Sequence, residues 1–439
     1  MSEILYFKTE LTAESPLIIG SGIGDNTDSD ILIGGDGLPY IPGTTLAGIC
    51  RHYLIKKIGE EKAKKVFGYT VPKQTESQKS NIIFYDAVLK EDQNKKENEE
   101  ESYIISNRDG VRLNEHKNTE NRGKFDYEII EAGSVFEFRV ELNCKDETDK
   151  KIIDHIVNGF NSHEIRIGAK TTRGFGKIKT GEKKIKNIDL KTNIQDYINF
   201  EWDNVIETYE SIVDEEKQYA TRNISFTLPS FLFIRNYATT EHVFDHTKEN
   251  NVGKIVDAEQ LLNNKKNPVI PGTSWAGVFK HHFERILKKV DFGEERTKDL
   301  IDKVFGFVDE KKKTDNARPS KIIFSESVIE ESRQLNRTRN AIDRFTGGAG
   351  DKKLFTTRPT YTGKGQLEIK LLKHVISSAN PACHSEQSEE SFDEFELTKS
   401  IIDACIKDLN EGFLSVGGET STGGGLIKVA ESDIEGEWK

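Results

Sequence analysis

The chain has 439 residues, and a typical domain of about 150 residues predicts two or three domains. Charged residues make up 31% and hydrophobic residues 35%, with 24 Phe and 12 Tyr, which argues against a disordered chain. The net charge of −11 argues against RNA binding over the whole surface and leaves room for a local basic groove. With no membrane-length apolar run and no signal-peptide pattern, we expect a cytoplasmic protein. Four scattered cysteines in no C-x-x-C pair suggest neither disulfides nor a zinc site.

The sequence repeats itself. The segment LPYIPGTTLAGICRHYL at 38–54 returns as NPVIPGTSWAGVFKHHF at 267–283, a shift of 229 residues. Further matched blocks follow in the same order: 65–69 with 303–307, 81–89 with 321–329, Asn107-Arg108 with Asn336-Arg337, and the glycine-rich 167–179 with 416–429. Blocks that keep their order indicate a duplication. We predict a first domain at 1–185, a linker at 186–219 with a bridging helix in its latter part, and a second domain at 220–439.

Each copy has hydrophobic periods that run strand, helix, strand, strand, helix, strand. The predicted elements are 4–12, a helix through Leu46 to Leu54, 82–89, 135–142, a helix over 152–160 and 176–179, then 223–234, 273–289, 321–329, 366–372, 396–411 and 424–430. This order predicts the α+β class, with two tandem ferredoxin-like, RRM-like domains. The charged runs at 90–102 and 376–395 are expected to be solvated, mobile surface loops.

The first helix of each copy opens on Ile-Pro-Gly-Thr. Thr44 and Thr273 are available as helix caps, and the backbone N–H groups near Gly43 and Gly272 could bind a phosphate. The bland alternative is a sequence that starts a helix well. Arg51 and Lys280 occupy equivalent positions on these helices and suit phosphate contact, or are ordinary solvated charges.

Two further features in each copy suit nucleic acid. The glycine-rich turn of the first copy carries Lys170 and Arg173, which the second copy lacks, and its alternative role is a tight β-turn. Long basic excursions at 107–133 and 336–363 combine arginines with apolar tips, as a hairpin that follows phosphates and wedges between bases would. Packing on the hairpin's own domain is the alternative. The arginines that we expect to contact RNA are Arg108, Arg112, Arg337, Arg339 and Arg344.

Two aspartates share one position in the repeat. Asp28 and Asp257 each precede the proline of the Ile-Pro-Gly motif by 14 residues. A carboxylate there could orient a ribose hydroxyl, hold a divalent metal or transfer a proton, and the alternative is a solvated loop acid. Asp30 and Glu259 are the next acids along the two loops. The sequence has no metal-ligand cluster, nucleophile elbow or P-loop.

Together, the IPGT-[ST]-x-x-G helix start, the arginine-rich excursion and the terminal glycine-rich turn resemble the RAMP proteins of CRISPR systems, over nearly the whole chain. The chain is most similar to the backbone subunits of type III effector complexes, in a tandem form as in type III-D. The resemblance implies thumb hairpins at the two excursions and cleavage of target RNA at Asp28 and Asp257 with a divalent metal, Mg²⁺ by expectation. The implied partners are guide RNA, target RNA and other effector subunits, including a polymerase-like large subunit. One departure is that Ala47 and Ala276 stand where the family often has Lys.

Two alternatives to target cleavage stay open. A purely architectural guide-binding subunit fits every feature except the paired aspartates. A guide-processing ribonuclease of the same superfamily generally uses a catalytic histidine, and the aligned His52 and His281 are assigned no such role because a core imidazole is the commoner use of a helix-face histidine.

Overall fold

The computed structural model describes residues 3–22, 24, 26–70, 77–90, 104–113, 119–144, 147–211, 218–236, 256–307, 317–373 and 388–439. Two compact units divide this chain. The first comprises 1–106, 127–171 and 175–217, and the second comprises 107–126, 172–174 and 218–439. Two short segments of the first sequence repeat are therefore counted with the second unit. In the described part of the chain, none of the helices is long and apolar enough to cross a membrane.

The first repeat contains three main helices and the longest strands of the chain. Its elements are β1 (Glu3–Ala13), β2 (Tyr40–Ile41), α1 (Gly43–Ile58), α2 (Glu60–Phe67), β3 (Tyr69–Thr70), β4 (Ser77–Gln78), β5 (Ile82–Phe84), β6 (Ala87–Leu89), β7 (Ile105–Leu113), β8 (Thr119–Ile130), β9 (Val135–Cys144), α3 (Glu147–Asn161), β10 (Ile178–Asp189), α4 (Ile194–Ile198) and β11 (Glu207–Thr208). β1 pairs with β10 on one side and β9 on the other, and β5 pairs with β9, all antiparallel. This strand order is the one that a split βαβ unit gives.

The second repeat has the same order of main elements. They are β12 (Tyr219–Thr227), β13 (Arg235–Asn236), β14 (Ala258–Gln260), β15 (Val269–Ile270), α5 (Gly272–Lys289), α6 (Glu294–Phe305), β16 (Ile322–Phe324), β17 (Ser327–Val328), β18 (Arg333–Gln334), β19 (Arg337–Ile342), β20 (Ala349–Arg358), β21 (Thr360–Tyr361), β22 (Lys364–Leu372), α7 (Ser388–Asn410), β23 (Lys428–Val429) and α8 (Glu431–Ile434). The sheet order is β16-β22-β12-β23. The mixed α+β class and the main helices are as predicted from the sequence.

Each core lies between one face of the sheet and the helices. In β9 every second residue is buried, from Phe136 to Cys144, as expected for a strand with one face against a core. α1 buries Leu46, Cys50, Tyr53 and Leu54, which is the 3.6-residue stripe read from the sequence. In the second unit, Trp275, Phe279 and Phe283 of α5 are fully buried. The described cysteines Cys50, Cys144 and Cys405 are free and buried, as expected, and Cys383 lies outside the described residues.

Residues 190–209 pack on the other face of the first sheet. The ring of Phe200 stacks on Tyr6 at 3.7 Å between centroids, and Trp202 meets Tyr6 edge-on. Lys8 Nζ donates a hydrogen bond to the Trp202 carbonyl at 2.7 Å. We expected a helix in the latter part of this segment, and it contains only the short α4 and a single 3-10 turn among its described residues. The expectation was wrong because aromatic contacts with the sheet, rather than helix periodicity, fix this segment.

Other sequence predictions differ at element ends. The charged run at 376–395 was expected to be a loop, but α7 begins at Ser388, because Phe395 and Leu397 behind its acidic start pack on the core. Residues 374–387, like 91–103 in the other predicted loop, lie outside the described residues. The strand predicted at 223–234 ends at Thr227, and the last strand is only Lys428–Val429.

Candidate nucleic-acid interface

Asp28 lies in an exposed loop beside the return strand of the first hairpin. The carbonyl of its neighbour Ser29 accepts a hydrogen bond from the Glu128 N–H at 3.0 Å, which attaches the loop to β8. Asp30 has a different role, because its carboxylate accepts hydrogen bonds from the Thr27 N–H at 2.9 Å and the Thr27 hydroxyl at 2.7 Å. Asp30 therefore holds the loop in shape, while Asp28 is directed to solvent.

Asp257 lies at the same place in the second repeat. Its N–H donates to the Thr356 carbonyl at 2.7 Å, and its Oδ2 accepts from the Thr356 N–H at 2.6 Å. The next residue, Ala258, is paired with Thr357 of β20. Ala258 and Thr357 each stand 229 residues after Ser29 and Glu128, so both aspartates adjoin the same point of their hairpins.

The neighbouring acid in the second loop is paired. Glu259 forms a salt bridge with Arg358 Nη1 at 3.1 Å. Asp257 itself is exposed, as Asp28 is. The structure therefore brings each predicted aspartate to the base of a predicted hairpin and gives the adjacent acids, Asp30 and Glu259, structural partners.

These loops do not form a protein metal site by themselves. Among the described residues, no three His, Cys, Asp or Glu side chains lie together in a way that could hold a metal ion. Mg²⁺ is often bound by one or two carboxylates together with substrate phosphates. A single carboxylate per loop does not fit a resident metal, and the expected Mg²⁺ stays a prediction.

The starts of α1 and α5 are packed closely against a strand end. A Cβ on Gly43 would lie 2.3 Å from the Phe84 carbonyl oxygen, and the Gly43 N–H donates to Asp86 Oδ1 at 2.7 Å. A Cβ on Gly272 would lie 2.4 Å from the Phe324 carbonyl oxygen. Side chains are excluded at both positions, which explains these glycines without RNA. Phosphate binding at the two helix starts stays a prediction.

The predicted threonine caps are absent. α1 begins at Gly43 with Pro42 in the cap position, α5 begins at Gly272 with Pro271 there, and neither helix has a side-chain capping bond. Proline fixes the approaching chain in an extended conformation, so Thr44 and Thr273 lie inside the first turn. Thr44 is exposed and Thr273 half-buried, and Arg51 and Lys280, further along, are half-buried.

The two glycine-rich turns have the same backbone. Lys170 and Glu419 occupy the equivalent left-handed position, with φ of 54° and 58°. The charge at this position is reversed between the repeats. Lys170 Nζ lies 3.1 Å from the centroid of the Tyr127 ring, a cation–π contact. Burial lowers the pKa of the predicted RNA contact Arg173.

The hairpins β7–β8 and β19–β20 exist as predicted, but their arginines differ in accessibility. Arg108 is 1% exposed and forms a bidentate ion pair with Glu326, with Nη2 to Oε1 at 3.3 Å. Arg112 is exposed on the same hairpin. On the second hairpin, Arg337 and Arg339 both pair with Glu419. Buried and paired, Arg108 does not present its guanidinium to solvent, so we leave it out of the proposed interface.

The tip of the second hairpin presents apolar side chains to solvent. Phe345 is 99% exposed, Ile342 68% and Leu354 65%. Arg344 is exposed beside them. Such a tip has the composition expected of a wedge between stacked bases. Phe355, by contrast, packs on a small cluster around Phe233.

Sequence reasoning missed two acids that organise these arginines. Glu326 follows the strand IIF in the second repeat, and Asp86 follows the same letters in the first, 240 residues earlier. The aligned blocks 81–89 and 321–329 contained this signal. Glu419 gave no such signal, because its counterpart is Lys170.

Comparison with known proteins identifies the class. The family model described as the RAMP superfamily matches residues 10–179 and again 225–428. The chain belongs to this superfamily and carries its domain twice, which confirms the resemblance and the duplication read from the sequence.

Individual relatives are more distant. The chain is 28% identical over 179 residues to the CRISPR system Cms endoribonuclease Csm3 of Methanocaldococcus jannaschii, an alignment that covers 36% of this chain and 69% of that protein. Among solved structures, it resembles the type III-B Cmr-beta complex bound to cognate target RNA, with 23% identity and a TM-score of 0.33, covering 43% of this chain and 61% of that chain.

Proposed function

We propose that this protein is a guide-RNA-binding backbone subunit of a type III CRISPR ribonucleoprotein and that it cleaves complementary target RNA at two places, through Asp28 and Asp257. The observation that carries the proposal is the equivalent position of the two aspartates. Each is exposed and adjoins the return strand of a hairpin, through Ser29 with Glu128 and through Ala258 with Thr357. Family membership in both repeats and the endoribonuclease name of the Csm3 relative support the same function.

In this proposal, sequence recognition comes from base pairing between guide and target, and the protein contacts the backbone and the shape of the duplex. The RRM-like units provide the rigid base, and each hairpin displaces one target nucleotide from the stack. Exposed arginines such as Arg112 and Arg344 contact phosphates, and Phe345 lies at the tip that wedges. The partners are guide RNA, target RNA and further type III subunits, including a polymerase-like subunit, in the cytoplasm.

The chemistry is an internal transfer at the displaced nucleotide. The target 2′-hydroxyl oxygen attacks its own adjacent phosphorus, the bond from phosphorus to the 5′ oxygen breaks, and the products are a 2′,3′-cyclic phosphate and a 5′-hydroxyl. The aspartate orients the 2′-hydroxyl and accepts its proton, which a carboxylate in hydrogen-bond reach can do. Asp257 keeps its place because Thr356 N–H holds Oδ2.

The test compares wild type with Asp28→Asn, Asp257→Asn and the double variant, each assembled with guide RNA and supplied with end-labelled complementary RNA. Asp28→Asn should remove one cut and Asp257→Asn the other, with target affinity kept within about twofold of wild type, a change of about 0.4 kcal/mol. Asp36→Asn is the matched control, because Asp36 is an exposed acid of the same entry loop whose Oδ1 accepts only the Leu38 N–H among the hydrogen bonds found for it. Omitting divalent metal from parallel reactions tests the Mg²⁺ expectation.

Two outcomes contradict the proposal. If the double variant still cuts at both places, the aspartate assignment is wrong, and Asp30 and Glu259 are tested next. If wild type binds target RNA and never cuts it, the architectural alternative is correct.

A further inference from the structure

Within the second unit, the face around Gly272 receives two segments that belong to the first sequence repeat. A Cβ on Gly272 would lie 2.2 Å from the Arg173 carbonyl oxygen, and a Cβ on Gly174 would lie 2.8 Å from the Phe324 carbonyl oxygen. Beside them, Arg108 from the base of the first hairpin pairs with Glu326. A glycine-rich turn and a hairpin-base arginine therefore fill this face. We call it the acceptor face, defined by Gly272, Phe324 and Glu326.

The first repeat has an equivalent acceptor face, formed by Gly43, Phe84 and Asp86. Among the described residues it is uncovered where the second is covered. Ile83 is 39% exposed, whereas its counterpart Ile323 is 6% exposed. Asp86 is exposed, whereas Glu326 retains 11% of its side-chain exposure. An exposed isoleucine beside an exposed carboxylate suits a partner with an apolar contact and a cation.

The second repeat supplies a matching set of donor groups. Arg337 follows Asn336 as Arg108 follows Asn107, and Gly423 is the counterpart of Gly174, with φ of 85° against 91°. A Cβ on Gly423 would meet nothing within 4 Å in the described part of the chain, in contrast to Gly174. We call this the donor face, defined by Arg337 and the turn Thr420–Gly424.

We propose that the donor face of one chain docks on the acceptor face of a second copy of the same chain, repeating between molecules the packing that fills the Gly272 face. Arg337 then pairs with Asp86, and the turn Thr420–Gly424 packs against Gly43. The interface is heterologous, because the two surfaces differ, and such interfaces extend head to tail. The inference extends the proposed function to a partner, and it rests on the repeat geometry, not on RNA cleavage.

The charges permit this exchange. In the isolated chain, Glu419 holds both Arg337 and Arg339, with Arg337 Nη1 at 3.4 Å. If Arg337 turns to Asp86, Arg339 still neutralises Glu419, so neither carboxylate loses its only cation. Asp86 can accept a guanidinium while one of its oxygens accepts the Gly43 N–H, because a carboxylate has about four lone-pair sites.

The experiment measures the mass of the full chain by sedimentation velocity over rising concentration, in the absence of RNA. Wild type should form species larger than one chain. Asp86→Arg and Arg337→Glu should each weaken association at least about tenfold, because every contact in a pure sample then brings like charges together. Their equimolar mixture should regain association, since the intact Asp86 of one variant meets the intact Arg337 of the other. Arg333→Glu, a charge reversal at another exposed arginine of the second unit, is the matched control and should behave as wild type.

Asp86→Asn separates docking from damage to the helix start. Its amide oxygen still accepts the Gly43 N–H, and association should nevertheless weaken. The proposal is overturned if wild type stays a single chain at every concentration, if the charge variants associate as wild type does, or if the mixture does not regain association. RNA cleavage by the same samples is measured separately, so failure of docking and failure of the proposed function give different results.

Discussion

The ion pair between Arg108 and Glu326 makes a sharp prediction about a residue that the sequence assigned to RNA. The Arg108 side chain is 2% exposed and that of Glu326 is 11% exposed. Arg108→Met keeps the aliphatic length and removes the guanidinium, which leaves the carboxylate without this cation. Breaking a buried pair from one side costs about 3–5 kcal/mol, and the residual exposure of Glu326 places the expected loss near the lower end, about 3 kcal/mol.

Urea unfolding followed by tryptophan fluorescence measures this loss, because Trp275 is fully buried in the second unit. With a slope of about 2–3 kcal/mol/M, the midpoint of that unit should fall by about 1 M. The double variant Arg108→Met/Glu326→Gln should recover part of the stability, because no buried charge is then left. Arg112→Met is the control on the same hairpin, and its exposed position predicts a change within about 0.5 kcal/mol.

One result would refute this reasoning. If Arg108→Met unfolds at the wild-type midpoint and binds guide RNA more weakly, then Arg108 contacts RNA as the sequence predicted, and the pair with Glu326 contributes little to folding.

Three further predictions concern packing, the hairpin tip and pH. Gly272→Ala should destabilise the second unit by about 1–3 kcal/mol, because its Cβ would overlap two carbonyl oxygens, whereas Gly277→Ala in the same helix, with open space around its Cβ, should stabilise it by about 0.5–1 kcal/mol; thermal unfolding compares them, and equal midpoints would contradict the close packing. Phe345→Ser should leave the unfolding midpoint unchanged, because the ring is 99% exposed, and should weaken regular protection of target RNA in footprinting; unchanged protection would mean that the tip does not wedge. Burial lowers the pKa of His282 below its ordinary 6.5 although Asp408 opposes the shift, so the folded state takes up this proton less readily than the unfolded state. The stability advantage of wild type over His282→Gln should therefore be full above about pH 6.5 and decline as the pH falls below it, and a difference that grows on acidification would refute the sign.

The sequence by itself determined the duplication, the order of the main elements and most of each core. Two copies of one pattern constrain each other, since an apolar stripe such as Leu46 to Leu54 recurs as Trp275 to Phe283. The same comparison gave the equivalent aspartates, and the structure adds that each lies at a hairpin base. Their equal spacing was visible because a loop attached to one strand position keeps its length in both copies.

Only the tertiary structure decided what each side chain contacts. Asn107-Arg108 and Asn336-Arg337 have the same local sequence, yet Arg108 is buried against Glu326 and Arg337 keeps 26% of its side-chain exposure beside Glu419. The difference comes from residues more than 80 positions away in the chain, and no local pattern encodes them. Residues 190–209 give the same lesson, because Phe200 and Trp202 are fixed by Tyr6 of a distant strand. Local periodicity specifies a helix or a strand, whereas burial and charge pairing depend on the groups that folding brings opposite.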